Sequence, residues 1–80
     1  MSATLPYGNI TTPQELGHAL RAKRKADGLT QAQAAALCGV GVRFLSDLEG
    51  GKPTAEVGKI MQIARGLGLE LSLVTKAVPR

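Results

Sequence analysis

The sequence predicts a small all-α domain of four to five short helices, followed by a short C-terminal strand. Three observations carry this reading. Two Thr-x-x-Glu/Gln signatures, at 12–15 and 30–33, mark helix starts. Glycines at 28, 39, 50 and 51 punctuate the chain at helix-length intervals. Apolar residues between them recur at three- and four-residue spacings until residue 69, where the pattern turns to near alternation.

Residues 1–11 lack a helical period and contain Pro6 and Gly8, so they read as a mobile arm with a short extended piece at 7–10. Thr12 is the expected cap of the first helix, with Pro13 at its first position and Glu15 closing a capping box. Leu16, Ala19, Leu20 and Lys23 share its inner stripe, while Arg21, Arg24 and Lys25 lie off it. Gly28 stops it after about Asp27. Thr30 and Gln33 frame the second helix, which the alanine run 34–36 carries to about Cys38. Gly39-Val40-Gly41 breaks it. The third helix is expected over 42–49, with Leu45 and Leu48 inward, and Gly50-Gly51-Lys52-Pro53 ends it. Thr54 is expected to open a fourth helix with Val57, Ile60, Met61, Ala64 and Leu67 inward. Residues 69–74 nearly alternate apolar and polar, a strand period. A lone strand leaves its backbone unpaired, so it calls either for the arm at 7–10 or for the same strand of a second subunit.

Bulk properties narrow the function. Eighty residues make one domain, 12–68, with an arm (1–11), a strand (69–74) and a tail (75–80). A core this small is marginal, so oligomerisation is a reasonable expectation. Cys38 is the single cysteine, which excludes an internal disulfide and, with no leader-like start, points to a reducing cytoplasm. No apolar stretch approaches the roughly 20 residues a membrane span needs. The net charge is +4, favouring a polyanionic partner. One Tyr, one Phe and no Trp are too few rings to stack single-stranded bases, which leaves duplex DNA. His18 is the only histidine, so no metal site is expected; no cofactor motif or nucleophile–base pair appears, and an enzyme is not expected.

The stretch 30–52 has a specific logic. Two short helices cross steeply, with Ala35 at the contact, Gly39 in a tight left-handed turn, Val40 in the corner, and Leu45 and Leu48 sealing the second helix. This spacing is the helix-turn-helix signature. Setting Leu45 inward at about 3.6 residues per turn turns Arg43 and Asp47 outward. Val42 and Ser46 fall on one flank, and Phe44 on the other. In a major groove, Arg43 can grip a guanine, a pairing that discriminates by roughly 1–3 kcal/mol, and Asp47 can accept from a cytosine amino group. Val42 or Phe44 can meet a thymine methyl, and Ser46 completes the base-reading set. Against this, Arg43 and Asp47 at i,i+4 can simply pair with each other, and Phe44 can fold back onto the core. Gln31, with Thr30, opens the second helix where its positive end suits a phosphate, and Lys52 follows the third helix in a bend that suits another. Arg24, from the cluster Arg21, Lys23, Arg24 and Lys25, is the further phosphate candidate, although a charge run is usually a solvated face.

Residues Leu29-Thr30-Gln31, Ala35, Gly39-Val40, Leu45-Ser46, Leu48-Glu49 and Gly51-Lys52 resemble the phage-repressor and Cro class of helix-turn-helix regulators, the xenobiotic-response-element family. The Thr12-Pro13 start and the segment 69–74 after four helices look most like HipB-like antitoxins. Gly41 departs from the pattern, standing where many members have a Ser or Thr cap. The resemblance implies a phosphate contact for Gln31 and a semi-buried salt bridge between Arg24 and Glu49. It also implies a repressor that binds a palindromic operator as a homodimer, joined through Leu69, Leu71, Leu73 and Val74. A HipA-like kinase toxin is the implied protein partner. The alternatives are a free-standing phage or bacterial repressor, and a protein-interaction adaptor on the same fold.

Overall fold

The computed structural model describes residues 8–54, 56–73 and 75. Among them are four helices: α1 (Pro13–Ala26), α2 (Gln31–Cys38), α3 (Val42–Glu49) and α4 (Val57–Gly66). Local chemistry explains the boundaries. The Thr12 side chain accepts from the Glu15 amide, and the Glu15 carboxylate accepts from the amides of Thr12 and Thr11. The Thr11 amide and hydroxyl and the Thr12 amide hold the exposed Glu15 carboxyl below its ordinary range. Thr30 and Gln33 repeat the reciprocal cap on α2. Gly41 begins α3 with no side-chain cap.

All four helices end in the same way. Just past each helix one amide reaches back five residues, and the amide before it reaches back three. The pairs are Leu29 to Arg24 with Gly28 to Lys25, Val40 to Ala35 with Gly39 to Ala36, Lys52 to Asp47 with Gly51 to Leu48, and Leu69 to Ala64 with Gly68 to Arg65. This is the Schellman arrangement, and it requires the left-handed backbone that Gly28, Gly39, Gly51 and Gly68 each adopt.

The core is Leu20 of α1, Ala34, Ala35 and Cys38 of α2, Leu45 and Leu48 of α3, Ile63 of α4, and Leu67. Helix α3 packs on both α1 and α2, and α4 packs on α2. Two glycines set the closest approaches. A Cβ on Gly17 would run into the Leu48 and Glu49 carbonyls at the end of α3. One on Gly66 would meet Cys38, its Sγ at 2.6 Å and its Cα at 3.1 Å. The Gln62 amide donates to the Cys38 and Gly39 carbonyls, fastening α4 to the turn between α2 and α3.

Several expectations are corrected. Among the described residues the C-terminal strand is not supported: Leu69 is taken up by the end of α4 and packs against the core, and residues 70–73 run on without strand pairing. Nor does a strand form at Gly8–Ile10; Tyr7, Val74 and the tail beyond Thr75 lie outside the described residues. Helix α4 starts at Val57, not at Thr54, whose hydroxyl instead accepts from the Glu56 amide. Its inner face is Ile60, Ile63 and Ala64, leaving Val57 and Met61 at least half exposed, because Gly66 against Cys38 fixes how the helix is rotated. Finally, Arg24 is buried.

Candidate nucleic-acid interface

Helix α3 is anchored by Leu45 and Leu48, which are essentially inaccessible. The same helical period turns the rest of it outward. Val42, Arg43 and Ser46 are exposed, and the Arg43 side chain is 89% accessible. Asp47 is half-buried beside them. Its Oδ2 lies 3.7 Å from Arg43 Nε and 3.6 Å from Lys52 Nζ. Phe44 divides its ring between two environments: one side packs against the core, and Lys59 Nζ sits 5.1 Å from the ring centroid. Phe44 is therefore partly committed to the protein, whereas Val42, Arg43 and Ser46 are not.

Lys52 owes its position to the end of α3. The left-handed turn at Gly51 sends the chain back, and the Lys52 amide donates to the Asp47 carbonyl at 3.0 Å. At the start of α2, Thr30 is occupied with its cap, and the amides of Gln31 and Ala32 precede the first intrahelical bond, which Ala34 makes to Thr30. The structure thus brings Val42, Arg43, Ser46, Asp47 and Lys52 together along α3 and its end.

Beneath this surface lies a buried polar network. The Arg24 guanidinium grips Glu49 in a fork, Nε to Oε2 at 2.6 Å and Nη2 to Oε1 at 2.9 Å, and its Nη1 donates to the Leu29 carbonyl at 2.7 Å. Gln31 Nε2 donates to Glu49 Oε1 at 3.0 Å. Burial on its own would push the Glu49 carboxyl up. The Arg24 and Gln31 hydrogen bonds and the charges of Arg24 and Arg21 outweigh burial and hold it below the usual carboxylate range. Arg24 is held above its ordinary value by the same hydrogen bond to Glu49.

The salt bridge implied for Arg24 and Glu49 is present, but the phosphate role given to Arg24 does not fit. Its fork is aimed inward, and the residue is 7% exposed. The side chain of Gln31 likewise points to Glu49, so the surface at the start of α2 is mainly backbone. Cys38 is buried with its thiol against the Ile63 carbonyl, and burial pushes the thiol pKa up, which argues against a redox-reactive cysteine. Periodicity missed Gly17, Ile63 and Gln62. A glycine inside a capped helix costs about 1 kcal/mol relative to alanine, and that unexplained cost was the available signal for Gly17.

Two short helices packed together with a left-handed glycine between them, the second presenting an exposed arginine, define a helix-turn-helix domain. Comparison with known proteins agrees. A model of the helix-turn-helix domain family matches residues 15–76, and the chain belongs to that family. The uncharacterized HTH-type transcriptional regulator y4mF of Sinorhizobium fredii is 43% identical over 65 residues, spanning 81% of this chain and 86% of the relative. Among solved structures, a HipB-O4 20mer complex superposes with a TM-score of 0.78 at 23% identity, over 88% of this chain and 99% of the other. A chain described as MDT protein matches equally, with a TM-score of 0.78 and 23% identity over the same shares. The protein is thus a helix-turn-helix transcriptional regulator with the fold seen in HipB. Among the described residues, no helix is long and apolar enough to cross a membrane.

Proposed function

We propose that the protein is a repressor that reads double-stranded DNA in the major groove through α3, acting as a dimer on a palindromic operator. The observation that carries this reading is Arg43: a guanidinium with 89% of its side chain accessible, on the outer face of a short helix whose inner face is locked by Leu45 and Leu48. Such a group, held only by its 3.7 Å contact with Asp47, can reach a guanine edge, and the packed helix behind it fixes where it reaches. Val42 and Ser46 flank it, Asp47 adds an acceptor, and Phe44 presents its outer edge. Lys52, with Gln31 and Thr30 at the start of α2, supplies the phosphate contacts that set the register.

The dimer reading is supported by what the single chain leaves uncovered. Leu71 is 51% exposed and Leu73 fully so, immediately after the half-buried Leu69 and before Val74 in sequence. A second chain meeting this segment would join two copies, and a helix-turn-helix dimer on a palindrome sets its two reading helices about one turn of DNA, ~34 Å, apart. The fold shared with HipB supports a narrower reading: the antitoxin of a HipBA-like type II toxin–antitoxin operon, repressing its own genes and holding a HipA-like kinase toxin. The second reading is a free-standing repressor, which shares the DNA chemistry and lacks the toxin.

Binding to the duplex upstream of its own gene and to a scrambled duplex, across several salt concentrations, tests the main reading. Tight binding that prefers the first duplex, and that Arg43→Ala relaxes, is the expected result. Equal, weak binding that salt abolishes leaves only the nonspecific phosphate term and ends the repressor reading. Co-purification with a kinase encoded next to the gene separates antitoxin from free-standing repressor.

A further inference from the structure

Asp47 is placed between two cations that reach it from opposite directions along the chain. Arg43 stands one helical turn earlier, and Lys52 is returned to it by the Gly51 turn. Both approach the same oxygen, Oδ2. Both cations are well exposed, at 89% and 66%. Ion pairs of that kind add little to folding, so stability does not explain the arrangement. What it does change is the charge that the α3 surface offers to a polyanion.

We infer that Asp47 is a shared counter-ion for Arg43 and Lys52 that suppresses binding to the wrong DNA, and so acts as a specificity-determining residue. This rests on the reading of α3 as the DNA-facing helix. Nonspecific binding is almost wholly attraction between cationic side chains and phosphates. On an arbitrary sequence Asp47 subtracts from that attraction, first by competing for Arg43 and Lys52 and second by repelling phosphates itself. One charge–charge contact at ~4 Å in water corresponds to about fivefold in affinity. On the correct sequence Arg43 moves to a guanine edge, Lys52 to a phosphate, and the freed carboxylate can accept from a cytosine amino group. The penalty is then offset on the correct site and stands everywhere else, which widens the gap between the two. The neighbouring charges, Glu56 and Lys59, pair with each other at 3.1 Å and leave Asp47 as the carboxylate that faces both cations.

The test uses the full chain as wild type, Asp47→Asn and Asp47→Glu. Fluorescence anisotropy measures each against the duplex upstream of the gene and a scrambled duplex, over a salt series. Asp47→Asn is expected to bind the scrambled duplex about fivefold tighter, with a salt slope steeper by about one to two. It should gain less on the upstream duplex, so that discrimination falls. Asp47→Glu, which keeps the charge, should retain wild-type discrimination, and all three should melt alike. Unchanged affinity of Asp47→Asn for the scrambled duplex overturns the inference. So does a loss confined to the upstream duplex, which would make Asp47 a base reader alone. A wild type that does not distinguish the duplexes removes the repressor reading, and the scrambled-duplex arm still decides the role of Asp47.

Discussion

The Arg24–Glu49 pair gives the sharpest test of how this small fold is held. Arg24→Ala removes all three of its hydrogen bonds and leaves a carboxylate that is 6% exposed with only Gln31 as a partner. Breaking a buried pair from one side typically costs about 3–5 kcal/mol. A domain of this length has a total stability of about 4–12 kcal/mol, so the loss is a large share of it. At about 4–8 °C per kcal/mol for a domain of this size, the melting temperature should drop by at least ~12 °C. Arg21→Ala, three residues earlier on the exposed face of α1, should change stability by no more than about 0.5 kcal/mol. Thermal melts followed by circular dichroism compare the two directly. Coincident curves for Arg24→Ala and Arg21→Ala would refute the reasoning, because they would mean that the fork contributes nothing beyond a surface charge. The double variant Arg24→Met/Glu49→Leu adds a check. It removes both charges together, so it should recover most of the stability lost in Arg24→Ala.

Further outcomes follow from the same geometry. Because Glu49 is held below its unfolded pKa, its contribution is complete above that value and is lost as pH falls through the lower folded value. Wild type should therefore lose melting temperature on acidification below about pH 4.5 more steeply than Glu49→Gln, whose curve should be flatter. Gly17→Ala should destabilise by about 1–3 kcal/mol in chemical denaturation despite the better helix propensity of alanine, since its Cβ meets the backbone of α3. A more stable Gly17→Ala would mean that α1 and α3 can separate freely. Cys38 should react with a thiol reagent only as fast as the domain opens, being buried with its pKa raised; rapid labelling under native conditions would contradict that placement. The double variant Leu71→Asp/Leu73→Asp should sediment as a monomer while melting like wild type as a domain, and a persistent dimer would locate the interface elsewhere.

What the sequence made legible is local chemistry. Both capping boxes, the bounds of α2 and α3, and the left-handed turns at Gly28 and Gly39 depend on residues within five positions of one another, and spacing is enough to read them. The inner residues of α3 followed because an eight-residue helix with two leucines has one possible inner face. Elements that depend on distant partners were harder. The near alternation at 69–74 satisfies a strand period, but alternation says nothing about a partner strand, and Leu69 was already needed to close α4. For α4 two apolar stripes compete, Val57-Ile60-Met61-Ala64 and Ile60-Ile63-Ala64-Leu67. The contact of Gly66 with Cys38, across 28 residues of chain, selects the second. Arg24 sits off the apolar stripe of α1 by periodicity, and only a carboxylate 25 residues away explains its burial.

That buried network also bears on why a polar cluster occupies a place where apolar residues would pack. Glu49 is the last residue of α3, at the negative end of the helix, where a carboxylate is disfavoured even before burial. Arg24, in the last turn of α1, offsets both costs, so the pair is nearly neutral for stability compared with an apolar substitute. What an apolar pair could not supply is direction. The fork fixes the end of α3 against the end of α1, Nη1 fixes the Leu29 carbonyl that leads into α2, and Glu49 holds Gln31 at the first position of α2. One carboxylate therefore sets the relative placement of the two segments that are proposed to touch DNA. The stability recovered by Arg24→Met/Glu49→Leu should accordingly not be matched by DNA affinity: a domain that melts normally but binds its upstream duplex more weakly is the signature of a network retained for orientation.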